Sequence, residues 1–256
     1  MAVSILPDGG METDLIFHRG LDLPLFASFV LLDDPETEEV VRDYFRDYLR
    51  IAAETGHGLV LETRTWRASH DWATQLGYDD PRLADVNRRA VQCVLDLRQR
   101  QSDVMVVVSG CAGPRGDAYA DLGPMTVEEA ADYHVAEISV LTDCGVDLVS
   151  ALTLTNIDEA IGVVHAARAS GVPVVISFTV ETNGALPTGM ALAEAVQAVD
   201  DATDGGPAYL HGQLCPPRAS RWGSGSYGAT VGARQRDPSE RLAPEPRRAG
   251  RKRATR

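Results

Sequence analysis

The sequence predicts an α/β fold, and within that class an incomplete (β/α)8 TIM barrel. Three observations predict it. Short apolar, β-rich runs alternate with longer amphipathic stretches over residues 4–211, the pattern of repeated βα units. The runs are continuously apolar rather than alternating, which marks strands covered on both faces, as in parallel sheets. Polar and glycine-rich residues gather just after the runs, at Asp8-Gly9-Gly10, Glu62-Thr63, Gly110–Asp117, Thr153–Asn156 and Glu181–Asn183. Active sites lie at that end both in barrels and in doubly wound sheets. No dinucleotide fingerprint follows the first run, which favours the barrel.

The elements follow in order. Ser4–Pro7 is a short strand ending in Asp8-Gly9-Gly10. Thr37–Thr55 is a helix with Val40, Val41, Tyr44, Phe45 and Leu49 on one face and charges opposite, stopped at Gly56. Leu59–Thr63 is a strand, Arg82–Arg100 a helix and Val104–Ser109 a strand. Val127–Cys144 is a helix stopped at Gly145, and Asp147–Leu154 a strand. Ile157–Ala169 is a helix stopped at Gly171, and Val172–Thr179 the fifth strand. Ala191–Ala202 is a helix, and Ala208–His211 begins a sixth strand. The count is therefore about five βα units plus one further strand.

A length of 256 residues suits one barrel, since barrels run to roughly 250. The net charge of −13 conceals two compositions. Residues 1–212 carry −21 and residues 213–256 carry +8, with the chain's one lysine, Lys252, in the second part. That second part holds only Leu214, Val231 and Leu242 as larger aliphatic residues. It is expected to be a disordered Arg/Pro/Gly-rich tail behind a partial barrel domain at 1–212. The acidic body argues against nucleic acid as a partner. No run of 18 apolar residues exists and no secretory signal opens the chain, so a cytoplasmic protein with no membrane partner is expected. The four cysteines, Cys93, Cys111, Cys144 and Cys215, have no CxxC spacing and are expected to be reduced thiols.

Several motifs carry chemistry. In Asp8-Gly9-Gly10-Met11-Glu12-Thr13 the glycines let backbone amides approach a ligand, and Asp8 offers a carboxylate to an amine. A tight turn with a solvated aspartate fits the same residues equally well. The glycine-rich stretch Ser109–Tyr119 suits a loop over a substrate, with Tyr119 facing a cationic group. Gly223-Ser224-Gly225-Ser226-Tyr227-Gly228 matches GxGxxG, but no strand precedes it and no helix follows, so it is not a nucleotide site. Arg247–Arg256 reads as a basic chain end, and the six histidines show no metal-ligand spacing.

Together the strand-end motifs resemble the homocysteine S-methyltransferases. The resemblance runs from about Ile5 to His211. It rests on Asp8-Gly9-Gly10-x-Glu12-Thr13, Asp43-Tyr44, Glu62-Thr63-x-Thr65-Trp66-x-Ala68-Ser69, Gly113-Pro114-x-Gly116-Asp117-x-Tyr119 and Ser177-Phe178-Thr179. It implies a barrel with zinc at its C-terminal mouth, held by one cysteine of an Asn-Cys on the sixth strand and two of a Gly-Gly-Cys-Cys near the eighth. Zinc holds the homocysteine sulfur as thiolate, which attacks a methyl group on a sulfonium or quaternary ammonium donor in line. The small-molecule partners implied are homocysteine or a related thiol and a methyl donor. The resemblance implies that Asp8 binds the homocysteine amine, with Gly9, Gly10, Glu12 and Thr63 completing the substrate site. Tyr119 would lie near the methyl donor.

Two departures from the family pattern shape the expectation. The family often carries a glutamate at the end of strand four, where this chain has Leu152, so a carboxylate for the amine is missing. No Cys-Cys pair exists, and Cys215 sits in Gln213-Leu214-Cys215-Pro216 rather than in an Asn-Cys. Zinc is therefore expected to bind poorly and turnover to be impaired. A reading-frame shift near codon 212 explains both the loss and the tail. Gly212–Trp222 can be encoded by DNA that reads Val-Asn-Cys-Ala-His-Pro-Ala-His-Leu-Ala-Gly one base later. The restored cysteine falls at position 214, and a slip of one residue turns Cys215 away from the mouth. The gene sequence around codon 212 decides this. A barrel left open has unpaired strand edges, so association is expected.

Two other classes remain open on the residues. One is a metal-independent barrel enzyme, of lyase type, using Asp8 and Glu62; activity that survives chelation marks it. The other is a non-catalytic binding protein with a recruiting basic tail; salt-sensitive DNA binding lost on deleting 213–256 marks that one.

Overall fold

The computed structural model describes residues 4–117 and 125–214. In chain order it contains β1 (Ile5–Pro7), α1 (Met11–Phe17), two 3-10 turns (Pro24–Phe26 and Ser28–Asp33), α2 (Pro35–Thr55) and β2 (Gly58–Glu62). Next come α3 (His70–Gln75), α4 (Asp80–Gln99), β3 (Val106–Ala112), α5 (Val127–Asp143) and β4 (Leu148–Leu154). The described part closes with α6 (Ile157–Ser170), β5 (Val174–Val180), α7 (Leu192–Ala202) and β6 (Tyr209–Leu214). All six strands are parallel and lie side by side in chain order. They form a curled half-barrel, so the α/β class and the incomplete barrel are both borne out.

Local chemistry sets the helix ends. Asp34 caps α2 by accepting from the backbone N–H groups of Glu36 at 2.7 Å and Thr37 at 3.4 Å. Thr126 and Glu129 form a reciprocal capping box on α5. Asn156 caps α6. The expected stops at Gly56 and Gly171 both have left-handed backbone, φ 68° and 74°, a conformation that costs glycine nothing.

Strand registers sort the side chains. Glu62 pairs with Ser109, Cys111 with Ser150, Ser150 with Val175 and Val175 with Tyr209, so these residues share one face. The opposite face holds fully buried Leu61, Val108 and Ile176 and packs on the helices. Gly110 belongs to that helix-facing side: a Cβ there would lie 3.0 Å from the Leu141 side chain of α5. This corrects the sequence reading at β3. Ser109 to Ala112 continue the strand, because Gly110 admits the helix rather than opening a loop. The concave face is thus polar where β2, β3 and β4 meet, and it opens at the C-terminal strand ends.

A second polar region lies outside the barrel, at the α5–α6 seam. The helices approach closely at Gly162, where a Cβ would run into Ala130 and the α5 backbone. Buried in this seam, His134 Nε2 meets Glu159 Oε1 at 3.0 Å, and the Arg115 backbone N–H donates to the same oxygen at 2.7 Å. Glu137 is buried with no hydrogen-bond partner on either carboxyl oxygen.

β6 runs to Leu214, two residues past the Gly212 boundary expected for the barrel domain. From Cys215 onward the expected tail lies outside the described residues. Among the described residues, no helix is long and apolar enough to cross a membrane.

Candidate active site

The mouth of the half-barrel is built by the residues that follow β1, β2 and β3. Asp8 leaves β1 with its backbone N–H on the Val60 carbonyl at 3.1 Å. That bond turns the side chain toward the end of β2. There Asp8 Oδ2 accepts from Arg64 Nη2 at 2.6 Å and from the Glu62 backbone N–H at 3.3 Å. Both side chains are deeply buried, with 3% of Asp8 and 5% of Arg64 exposed. Arg64 Nε donates to the Glu62 carbonyl at 3.0 Å, and Nη2 donates there as well. Its guanidinium stacks 4.8 Å from the Phe45 ring centre and 5.8 Å from that of Tyr44.

The charges in this cluster compete. Burial pushes the Asp8 carboxyl up to about 6, against the pull of Arg64 and the Glu62 N–H. Burial pushes Glu62 up to about 7, and the charge of Asp8 adds to the rise, while the Ser109 and Ser150 hydroxyls oppose it. Burial also works against the charge of Arg64, but Asp8 and Glu12 outweigh it and hold the guanidinium charged. Glu62 Oε2 is buried and has no hydrogen-bond partner. One carboxyl of the mouth is therefore anchored and the other has an open acceptor. Both carboxyls are thus raised by burial where the strand ends open.

The remaining expected site residues fall around this cluster. Gly9 accepts from the Tyr44 hydroxyl at 2.8 Å through its carbonyl. A Cβ on Gly9 would run into the Tyr48 hydroxyl, so any larger residue there would push the Tyr48 side chain aside. Gly10 precedes α1 as its N-cap. Glu12 accepts from the Ser28 hydroxyl at 2.6 Å. The Thr63 hydroxyl is committed within the protein: it accepts from the Cys111 backbone N–H at 2.9 Å and pairs with the Thr65 hydroxyl at 2.7 Å. Thr65 in turn donates to the Cys111 carbonyl at 2.5 Å. Thr63 therefore ties β2 to β3. Tyr119 lies outside the described residues.

Three features of the mouth were not singled out in the sequence. Arg64 is the ion-pair partner of Asp8. Trp66 Nε1 donates to Thr153 Oγ1 at 2.9 Å, linking the ends of β2 and β4. Thr153 holds left-handed backbone, φ 64°, beside a register shift in β4; a β-branched residue there is strained. Arg67 packs against two indoles, 4.1 Å from the Trp66 ring centre and 3.6 Å from that of Trp72. A charged residue just past a strand gives no sequence signal of such burial.

A zinc site needs several deprotonated donors converging on one point. Cys93 is buried on α4, Cys144 follows α5, and Cys111 lies on β3 with burial holding its thiol well above the usual range. No three His, Cys, Asp or Glu side chains converge among the described residues. The described residues therefore do not fit the metal. Cys215 lies outside them.

Comparisons with known proteins place this geometry in context. A family model described as Homocysteine S-methyltransferase matches residues 5–215. Homocysteine S-methyltransferase 1 of Arabidopsis thaliana is 22% identical over 231 residues, covering 82% of this chain and 68% of the relative. Homocysteine S-methyltransferase of Escherichia coli is 26% identical over 168 residues, covering 60% of this chain and 51% of the relative. The chain thus spans between about half and two thirds of these relatives' length. The crystal structure of the metallated form of the homocysteine methyltransferase MmuM from Escherichia coli superposes with a TM-score of 0.65 at 24% identity. It covers 82% of this chain and 74% of that one, and it supports the barrel fold.

Proposed function

The chain belongs to the homocysteine S-methyltransferase family, and from that premise we propose that its mouth binds homocysteine or a related amino thiol through Asp8 and Glu62. One observation carries the reading: the buried Asp8–Arg64 pair holds its carboxylate beside a Glu62 oxygen with no partner. Asp8, fixed by Arg64 and the Glu62 N–H, sets the negative field of the site. Glu62 supplies the open acceptor for the ligand's ammonium group, which then relieves the cost of burying that carboxylate. In this role Glu62 takes over what a glutamate at Leu152 would have done. The family resemblance assigns the bound thiol the part of methyl acceptor and zinc the task of holding it as thiolate. The described residues offer zinc no donor set, so the chain as it stands binds the acceptor and turns it over poorly.

Calorimetry with homocysteine tests the binding half: one-to-one binding lost in Asp8→Asn and weakened in Glu62→Gln is the expected result. Elemental analysis and a methionine-formation assay test the other half. One zinc held tightly per chain, with rapid methionine formation, would overturn it.

A second reading has its own observation. Two neighbouring carboxyls brought to about 6 and about 7 suit acid–base chemistry near neutrality. A metal-independent barrel enzyme of lyase type would use them so, and turnover unaffected by chelators would favour it.

A further inference from the structure

Arg67 is a buried cation short of acceptors. Only 7% of its side chain is exposed. The indoles of Trp66 and Trp72 pack against the guanidinium, and the partners of its N–H groups must lie in its plane. The described in-plane contact is Asp117 Oδ2, 3.5 Å from Nη2, at the outer limit of a hydrogen bond. Nε and Nη1 are buried and have no partner. A guanidinium carries five donors in a rigid fork suited to oxyanions, and leaving most of them dry and empty is costly. Burial accordingly weakens its hold on the proton, against the pull of Asp117. By contrast, Arg64 on the same segment is fully engaged by Asp8 and the Glu62 carbonyl.

The surroundings say where an acceptor enters and what it is. A cleft of about 440 Å³ lies between α3 and the residues after β3, and its lining includes Trp72, Arg115 and Asp117. Two of these three touch Arg67. Arg115 is already paired with Asp71 at 2.8 Å, so Arg67, which lies behind the lining against Trp72 and Asp117, is the cation beside the cleft with donors to spare. Trp66, whose ring lies against Arg67, donates to Thr153 at the end of β4, which puts Arg67 beside the mouth and not on a remote surface. With Asp117 already at the guanidinium, a singly charged carboxylate fits, and a doubly charged phosphate meets more repulsion.

We propose that Arg67 is the carboxylate anchor of the mouth, gripping the acid group of a ligand whose ammonium end reaches Glu62. This rests on the amino-thiol reading above and adds to it the residue of this chain that holds the acid group. It also assigns Trp66 and Trp72 the task of holding the guanidinium plane.

Two probes that differ only in the acid group test it: homocysteine, and 3-aminopropane-1-thiol, which keeps the amine and the thiol. Calorimetry on the full chain is expected to show homocysteine binding at least about tenfold tighter, the usual worth of a charge-assisted hydrogen bond. In Arg67→Met the two probes should bind alike, and Arg67→Lys should restore part of the difference, a pattern that a merely structural role would not produce. Propionate, read by the fluorescence of Trp66 and Trp72, provides a third arm that needs no amine; its signal should vanish in Arg67→Met. Should Arg67→Met fail to fold, Arg67→Lys and the two-probe comparison on the natural chain still decide.

Homocysteine and the aminothiol binding equally well to the natural chain would overturn the anchor and leave the amino-thiol reading standing. A propionate response that depends on Arg67, without homocysteine binding, would do the reverse. Silence from all three probes would overturn both.

Discussion

Two regions of this molecule bury carboxylates, and they do so differently. At the mouth, Asp8 faces a guanidinium while Glu62 keeps one oxygen open toward the concave face. At the α5–α6 seam, Glu159 is satisfied by His134 and a backbone N–H, while Glu137 has no partner on either oxygen. Burial alone therefore does not mark a site. The mouth collects charges of both signs from the ends of β1 and β2 at the opening of a barrel, where ligands bind. The seam lies between the facing sides of two helices, which approach closely at Gly162. One cluster is poised to gain a partner and the other is sealed.

The sharpest way to break this contrast is Arg64→Met. Stranding the buried Asp8 carboxylate should cost about 3–5 kcal/mol at pH 8, read by urea unfolding, with homocysteine binding lost. The sign with pH is fixed. Asp8 has a raised value in the fold, so its protonated form carries the stability, which is present at low pH and lost as pH rises through the folded value of about 6. Without Arg64 that value climbs further, so the variant's deficit should be smaller at pH 5 than at pH 8. An equal deficit at both would mean that Arg64 acts by packing on Phe45 and not by charge.

Next in size is Glu62→Gln. It should weaken homocysteine binding about tenfold with the fold as stable as before, or more so. Lost stability with unchanged binding would make Glu62 the equivalent of Glu137. A third measurement needs no variant. Homocysteine binding should strengthen from pH 5 to pH 8, as Asp8 and Glu62 lose protons near 6 and 7, and Glu62→Gln should flatten the upper part of that rise. The smallest effect belongs to the seam. Burial holds Glu137 well above its ordinary value, so its contribution to stability falls as pH rises past the usual glutamate range. Glu137→Leu should be neutral at pH 4 and stabilise by about 1 kcal/mol at pH 7, with homocysteine affinity unchanged.

The same contrast measures what the sequence makes legible. Elements with a full period were readable: the apolar run of β5, Val174–Val180, and the amphipathic α2 with its stop at Gly56. The helices Met11–Phe17 and His70–Gln75 were not expected, since six or seven residues span fewer than two turns and show no periodicity. Asp8, Gly9 and Gly10 were legible because a strand end followed by two glycines is a local pattern. The partnership of Asp8 with Arg64 was not, since the two are 56 residues apart and meet only when β1 and β2 pair. Thr63 was legible as a strand-end residue, yet its hydroxyl is committed to β3. What patterns reveal is position; who satisfies whom is a property of the packed chain.

The strand order has one further consequence, for assembly in time. Each strand of β1 to β6 pairs with the one made just before it, with no crossover to a later strand. A chain emerging from the ribosome can therefore add one βα unit after another, as domains fold from the N-terminus during synthesis. Asp8, Glu62 and Arg64 all belong to the first two strands and their ends. The charged heart of the mouth is thus specified by the first two strands of the sheet and their ends, before the helices of the seam have been made.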